Sequence, residues 1–242
     1  MNHSFQMRLA HSGIRVIGAS EQFKTACSSF LTDDSAPAEF TVSVDPERMK
    51  AEQAEVPGIS ACCAESRCLL KQVIQELPQF RAIMFHGACI AYEGRAYIFA
   101  APSGTGKTTH VRLWKQQFGD KVTVINGDKP VLYMGDTTIE AFSSPWAGKE
   151  NWFTPFTCSL GAICFLERGE QNSISPVYGE KAVECLFKQI PLPQKRESLM
   201  LTLSYMDRIV TTVPMYIMKC NMTLEAAEMS CKELTVIGKL PL

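Results

Sequence analysis

The stretch FAAPSGTGKTTHVRLW, residues 99–114, sets an apolar run against a loop of small residues and then against a segment with helical spacing. Gly104 and Gly106 can take backbone conformations closed to other residues. A strand that feeds such a loop, and then a helix, turns successive backbone N–H groups toward one small volume. The positive end of the helix dipole points there as well. Residues 101–108, APSGTGKT, have the spacing of a phosphate-binding loop, with alanine where that motif begins with glycine. The chain is therefore expected to place this loop at the tip of a strand.

In that reading Ser103, Gly104, Thr105, Gly106, Lys107, Thr108 and Thr109 form the nucleotide-binding set. Lys107 would bring a mobile cation to the β- and γ-phosphates, and the Thr108 hydroxyl would help hold magnesium. The same letters also spell a glycine-containing turn with an exposed lysine at its end.

The rest of the chain divides most naturally near Pro78. Before it, IRVIG and EFTVSV read as short strands, with a helix over 21–31 between them. A polar stretch, DPERMKAEQAEVPG, leads to a helix over 65–77 with Cys68, Leu69, Val73, Ile74 and Leu77 on one face. After it, IMFHGACIAY and RAYIFAA read as strands joined by a tight turn at Glu93 and Gly94. A helix over 108–118 ends at Gly119, and KVTVI reads as a strand reaching Asn126, Gly127 and Asp128. PVLYM and TIEAF form a further hairpin, LGAICFLE a buried strand and PMYIMKC an extended segment; helices are expected over 180–189, 194–210 and 224–234. Strands, helices and hairpins are mixed, which argues against a purely parallel sheet. The expected architecture is α/β: a small N-terminal α+β subdomain over 1–78, and a mixed sheet with hairpins and flanking helices over 79–242.

Composition narrows the class. The 242 residues carry 24 basic and 25 acidic groups, so no overall field draws in nucleic acid or an anionic membrane. The longest apolar runs are strand-sized, too short to cross a bilayer. Ten scattered cysteines and no export-like N-terminal run point to reduced thiols and a cytoplasmic location. Cys62, Cys63 and Cys68 lack the paired spacing of a zinc site and read as packing.

The segment SGTGKTT resembles the nucleotide loop of phosphoenolpyruvate carboxykinases. Its place after a hairpin that opens with His86 and Gly87 resembles HPr kinase/phosphorylase. VINGDKPVLY resembles the segment in which a strand of that family delivers acidic residues to the reacting phosphate. Asp128 matches the second acid of the pair, Gly127 stands in place of the first, and Thr109 stands where HPr kinase has an acid after the loop. SSPWAGKE, FLERGEQNSI and VPMYIMKCNMTLEAA resemble the carboxy-terminal region of HPr-kinase-like proteins. The resemblance spans roughly 83–234 and implies a P-loop core like that of the HPr kinase C-terminal domain and of phosphoenolpyruvate carboxykinase.

It also implies an ATP- and magnesium-dependent kinase acting on a hydroxyl of a protein, peptide or small molecule, with a serine of a protein or peptide favoured. Asp128 would accept the proton of that hydroxyl or bind magnesium together with Thr108; its other reading is a turn residue. His86 would assist proton transfer or orient Asp128, or else is hydrogen-bonded structure within an apolar run. Lys149 in PWAGK would neutralise charge on the transferred phosphate, or is a solvated loop lysine, and Trp146 would fix that loop by packing. Arg168 would reach phosphate or acceptor, or form a surface salt bridge. The alternative function is a nucleotide-responsive binding protein with little turnover. The sequence leaves the oligomeric state open, a homo-oligomer included.

Overall fold

A computed structural model describes residues 3–33, 37–102 and 104–237. Its N-terminal part contains strands β1 (His3–Leu9), β2 (Ser12–Ala19), β3 (Leu31–Thr32) and β4 (Phe40–Ser43), in the spatial order β3-β1-β2-β4. Helices α1 (Glu21–Ala26), α2 (Pro46–Glu55) and α3 (Ala61–Glu76) accompany this sheet. Strand β1 was not anticipated. The helix expected over 21–31 stops at Ala26, because Cys27 leaves the helical region and a short 3-10 turn (Ser28–Phe30) carries the Phe30 ring into the core.

The polar stretch after β4 is also a helix, α2. Asp45 Oδ1 accepts from Glu47 N at 2.9 Å and Pro46 occupies the first turn, a strong start signal with almost no apolar stripe behind it. Helix α2 is fastened by charge instead: Glu52, nearly buried, receives Arg67 Nε at 2.9 Å and Lys71 Nζ at 2.6 Å from α3.

The second sheet has nine strands: β5 (Ala82–Met84), β6 (Ala88–Tyr92), β7 (Arg95–Ala100), β8 (Thr123–Asn126), β9 (Val131–Met134), β10 (Ile139–Phe142), β11 (Thr157–Arg168), β12 (Ser173–Pro176) and β13 (Met215–Cys220). Helices α4 (Lys107–Phe118), α5 (Gly179–Phe187), α6 (Arg196–Thr212) and α7 (Leu224–Ile237) complete it. Strand β11 pairs in parallel with β7 on one side and β13 on the other. Strand β6 is antiparallel to both β7 and β8. The carboxyl ends of β7, β8, β11 and β13 therefore meet at one edge, where β6 begins.

Alternation along β7 explains its continuous apolar letters. Ile98 and Ala100 pack with Leu186, Met206 and Ile209 of α5 and α6, whereas Tyr97 and Phe99 pack with Val111 and Trp114 of α4 and Leu234 of α7. Both faces are covered, so neither can be polar. A third cluster joins β1, β2 and α3 to Ala82, Met84, Val131 and Trp146, so the two sheets share apolar contacts. Among the described residues no helix is long and apolar enough to cross a membrane, and all ten cysteines are free thiols.

The run IMFHGACIAY, expected as one strand, is two. It breaks after Met84: His86 N donates to Gln189 O and Gly87 N to Asp128 O, each at 2.8 Å, rather than to a neighbouring strand. A Cβ at Gly87 would stand 2.7 Å from Ile98 Cγ2 and 3.1 Å from Phe99 O, so the break passes tight against β7.

Behind the quoted loop, Trp114 Nε1 donates to Ser230 Oγ at 2.9 Å and to His110 Nε2 at 3.2 Å, tying α4 to α7. Burial holds the His110 pKa down to about 4. A group depressed in this way binds its proton first in the unfolded chain. Its contribution is complete above the unfolded value near 6.5 and is lost as pH falls through about 4. Urea unfolding of wild type and His110→Gln between pH 7 and pH 4 should show wild type losing about 3 kcal/mol more than the variant over that window. Parallel losses in the two proteins would refute it.

Candidate active site

Strand β7 ends at Ala100 and the chain turns through Gly104 (φ 79°) and Gly106 (φ 128°) into α4. No atom lies within 4 Å of where a Cβ at either glycine would stand, so this backbone faces open space. The first helical bond of α4 is His110 N to Gly106 O at 2.9 Å. The N–H groups of Lys107, Thr108 and Thr109 precede it, in the turn where a helix supplies no acceptor. Ser103 lies outside the described residues. A cavity of about 450 Å³ adjoins the loop, lined by Gly104, Thr105, Gly106, Thr109, Arg168 and Asn221 among others. Arg168, at the end of β11, donates from Nη2 to Gly104 O at 2.7 Å; it clasps the loop's own backbone rather than a surface carboxylate.

Lys107 differs from the mobile cation expected. Its side chain curls beneath the loop, nearly buried, and Nζ donates to Ala101 O at 2.8 Å. Desolvation, chiefly, lowers its pKa; the Asp128 charge opposes that shift and Lys129 adds to it. Nζ also lies 3.2 Å from His86 Nε2, which is 3.4 Å from Asp128 Oδ1. The structure thus brings Lys107, His86 and Asp128 into one row across the ends of β7, β6 and β8.

A network that sequence reasoning had not singled out fixes Asp128. Asn126 is fully buried at the end of β8, and its Oδ1 accepts from Asp128 N at 2.9 Å and Lys129 N at 2.7 Å. Its Nδ2 donates to Ser144 O at 2.9 Å. The letters Asn-Gly-Asp carried the signal, an Asx turn, but not the burial that makes the asparagine an anchor. Lys129 pairs with Asp128 Oδ2. Burial alone would raise the Asp128 pKa, but the His86 hydrogen bond and the Lys129 ammonium outweigh it and bring it down to about 2.

The loop after β10 closes over this turn. A Cβ at Gly148 would lie 3.0 Å from Asp128 Cβ, so its backbone touches the carboxylate's stem. Trp146 is buried and donates from Nε1 to Ser66 O of α3 at 3.1 Å, linking the loop to the N-terminal helices. Lys149 is exposed and has no ion pair among the described residues. The structure does not bring it into the row formed by Lys107, His86 and Asp128.

Among the described residues no three His, Cys, Asp or Glu side chains form a metal cage. The donor chemistry on offer, the Asp128 carboxylate and the Thr108 hydroxyl, suits magnesium, which keeps waters and takes substrate phosphates as ligands instead of an all-protein shell.

Residues 63–228 match the family described as "SynChlorMet cassette protein ScmC", more than half of the 242-residue chain. The chain belongs to this ScmC family. The ScmC match takes in the loop, His86, Asp128 and Arg168, and leaves β1 to β4, α1 and α2 outside it. The HPr(Ser) kinase/phosphatase from Coxiella burnetii is similar at 11% sequence identity and a TM-score of 0.32, over 52% of this chain and 96% of that one. No curated protein matches.

Replacing Asn126 with alanine strands the Asp128 N–H and the Ser144 carbonyl, while Lys129 N keeps its bond to Trp146 O at 3.1 Å. Urea unfolding of Asn126→Ala should show about 3 kcal/mol lost, as a lower midpoint at unchanged slope. An unmoved midpoint would mean the Asp128 turn is held by other contacts.

Proposed function

We propose that this protein is an ATP- and magnesium-dependent kinase that transfers the γ-phosphoryl group to a hydroxyl, that of a serine in a protein or peptide. The observation that carries this reading is the row in which Lys107, at the base of the glycine loop, meets His86 and Asp128 from the two adjoining strands. The loop amides and the start of α4 would cradle the phosphates, and Lys107 would hold charge at the γ-position. Thr108 and Asp128 would hold magnesium, which when bound neutralises phosphate charge. That the loop motif and the acid sit at the carboxyl ends of parallel strands fits the general position of ligands in such sheets.

Asp128 is ionised at neutral pH. A carboxylate of such low pKa is a weak base toward a resting alcohol, but in a loose transition state the hydroxyl becomes acidic only as its bond to phosphorus forms. Asp128 therefore orients the hydroxyl and takes its proton late, while the bond from γ-phosphorus to the ADP oxygen breaks. His86 positions the carboxylate.

The second reading, a nucleotide-responsive binding protein, is favoured by one fact: both Asp128 oxygens and the Lys107 ammonium already have protein partners. Asp128→Asn separates the two. Incubated with radiolabelled ATP, magnesium and cytosolic extract or serine peptides, wild type should label an acceptor, and the variant should lose about 100-fold or more in transfer while nucleotide affinity changes little. A wild type that binds Mg-ATP in calorimetry but labels nothing points to the binding protein instead.

A further inference from the structure

A second and larger cavity, about 780 Å³, opens on the other side of His86. One wall is α2 and α3; the other is the chain from Phe187 to Gln194, after α5. Its floor includes His86 and Lys129, the two residues that hold Asp128, so the groove runs up to the carboxylate. The phosphate-loop cavity lies on the α4 side of Lys107. The two cavities share no lining residue, so an occupant of this groove would reach the His86 end without entering the phosphate-loop cavity.

The lining has a definite chemistry. Five cationic side chains, Arg48, Arg67, Lys71, Lys129 and Lys188, face it with a single carboxylate, Glu52. Glu52 pairs with Arg67 and Lys71; outside the lining, Glu55 pairs with the same two cations, Glu184 with Lys188 and Asp128 with Lys129, which leaves Arg48 as the lining cation without a carboxylate among the described residues. Arg48 is exposed and has no ion pair or hydrogen bond among the described residues. Between the charges lie apolar groups, of which Phe187 and Leu192 are 44% and 41% exposed. The decisive group is Gln189. It is 6% exposed, and its Oε1 is buried without any hydrogen-bond partner, while its backbone oxygen accepts from His86 N.

A buried carbonyl oxygen without a donor is costly, and the Gln189 side chain gains a partner by rotating into the groove it lines, where a primary amide can both accept from a peptide N–H and donate to a peptide C=O. Apolar side chains fit the exposed Phe187 and Leu192, and acidic side chains fit Arg48 and its cationic neighbours. We propose that this groove docks the phosphoryl acceptor as an acidic, apolar peptide segment. In it Gln189 pairs with the acceptor backbone, Arg48 reads its carboxylates, and the hydroxyl is presented at the His86 end. Helix α2, outside the ScmC match, then joins α3, almost wholly within it, in acceptor recognition. The proposal rests on the kinase reading for its direction of transfer, but docking can be measured without it.

The probes are two pools of fluorescein-labelled short peptides, each with a central serine flanked by leucine or phenylalanine; one pool carries Asp and Glu, the other Lys and Arg. Fluorescence anisotropy is read on the full chain without nucleotide. The acidic pool should bind saturably and the basic pool should not. Arg48→Glu, an exposed helix position, should weaken binding about tenfold or more, and Leu192→Asp on the opposite wall should also weaken it. Equal binding of the two pools, no binding of either, or indifference to both groove variants would overturn the proposal. Adding Mg-ATP to the bound acidic pool tests the other reading separately: binding without phosphate incorporation counts against the kinase and leaves the groove assignment standing.

Discussion

Backbone direction decides where chemistry can gather in this molecule. Strands β7, β8, β11 and β13 run the same way and finish at one edge of the large sheet, and β6 runs against them and starts there. Every group in the site is a consequence: the glycine loop follows β7, Asp128 follows β8, Arg168 ends β11, and His86 precedes β6. The sheet can hold that edge because both faces are buried, by α4 and α7 on one side and α5 and α6 on the other. The apolar price of that burial is visible as unbroken hydrophobic runs in β7 and β11.

At the edge itself, backbone groups that would have continued the ladder are used elsewhere. Gly87 N bonds to Asp128 O and His86 N to Gln189 O, which locks three separate segments around the carboxylate. Asn126 completes the lock from beneath. The polar groups are thus supported by main-chain bonds and a buried amide, the arrangement that gives a reacting side chain a fixed position.

The sequence was most legible where local chemistry and global fold agree. Glu93 and Gly94 (φ 48° and 78°) form the tight turn their letters indicate, and the strand, loop and helix around Gly104 and Gly106 follow the motif in order. It was least legible where distant partners decide. Helix α2 has no apolar stripe because Arg67 and Lys71 hold it through Glu52, and nothing in a window of neighbouring residues reports that pairing. The run through His86 looked continuous because the reasons for its break, Gln189 O and Asp128 O, lie about a hundred and about forty residues on. Burial of Asn126 and isolation of the Gln189 amide are likewise properties of the assembled chain.

An imidazole nitrogen carries either a hydrogen or a free electron pair, never both, and His86 Nε2 stands between an ammonium and a carboxylate. Lys107 and Asp128 are therefore competitors for the same ring atom. Whatever draws the lysine toward the glycine loop frees the ring to turn its hydrogen on the acid, so that events on the two sides of this histidine are felt by each other through the placement of a single proton.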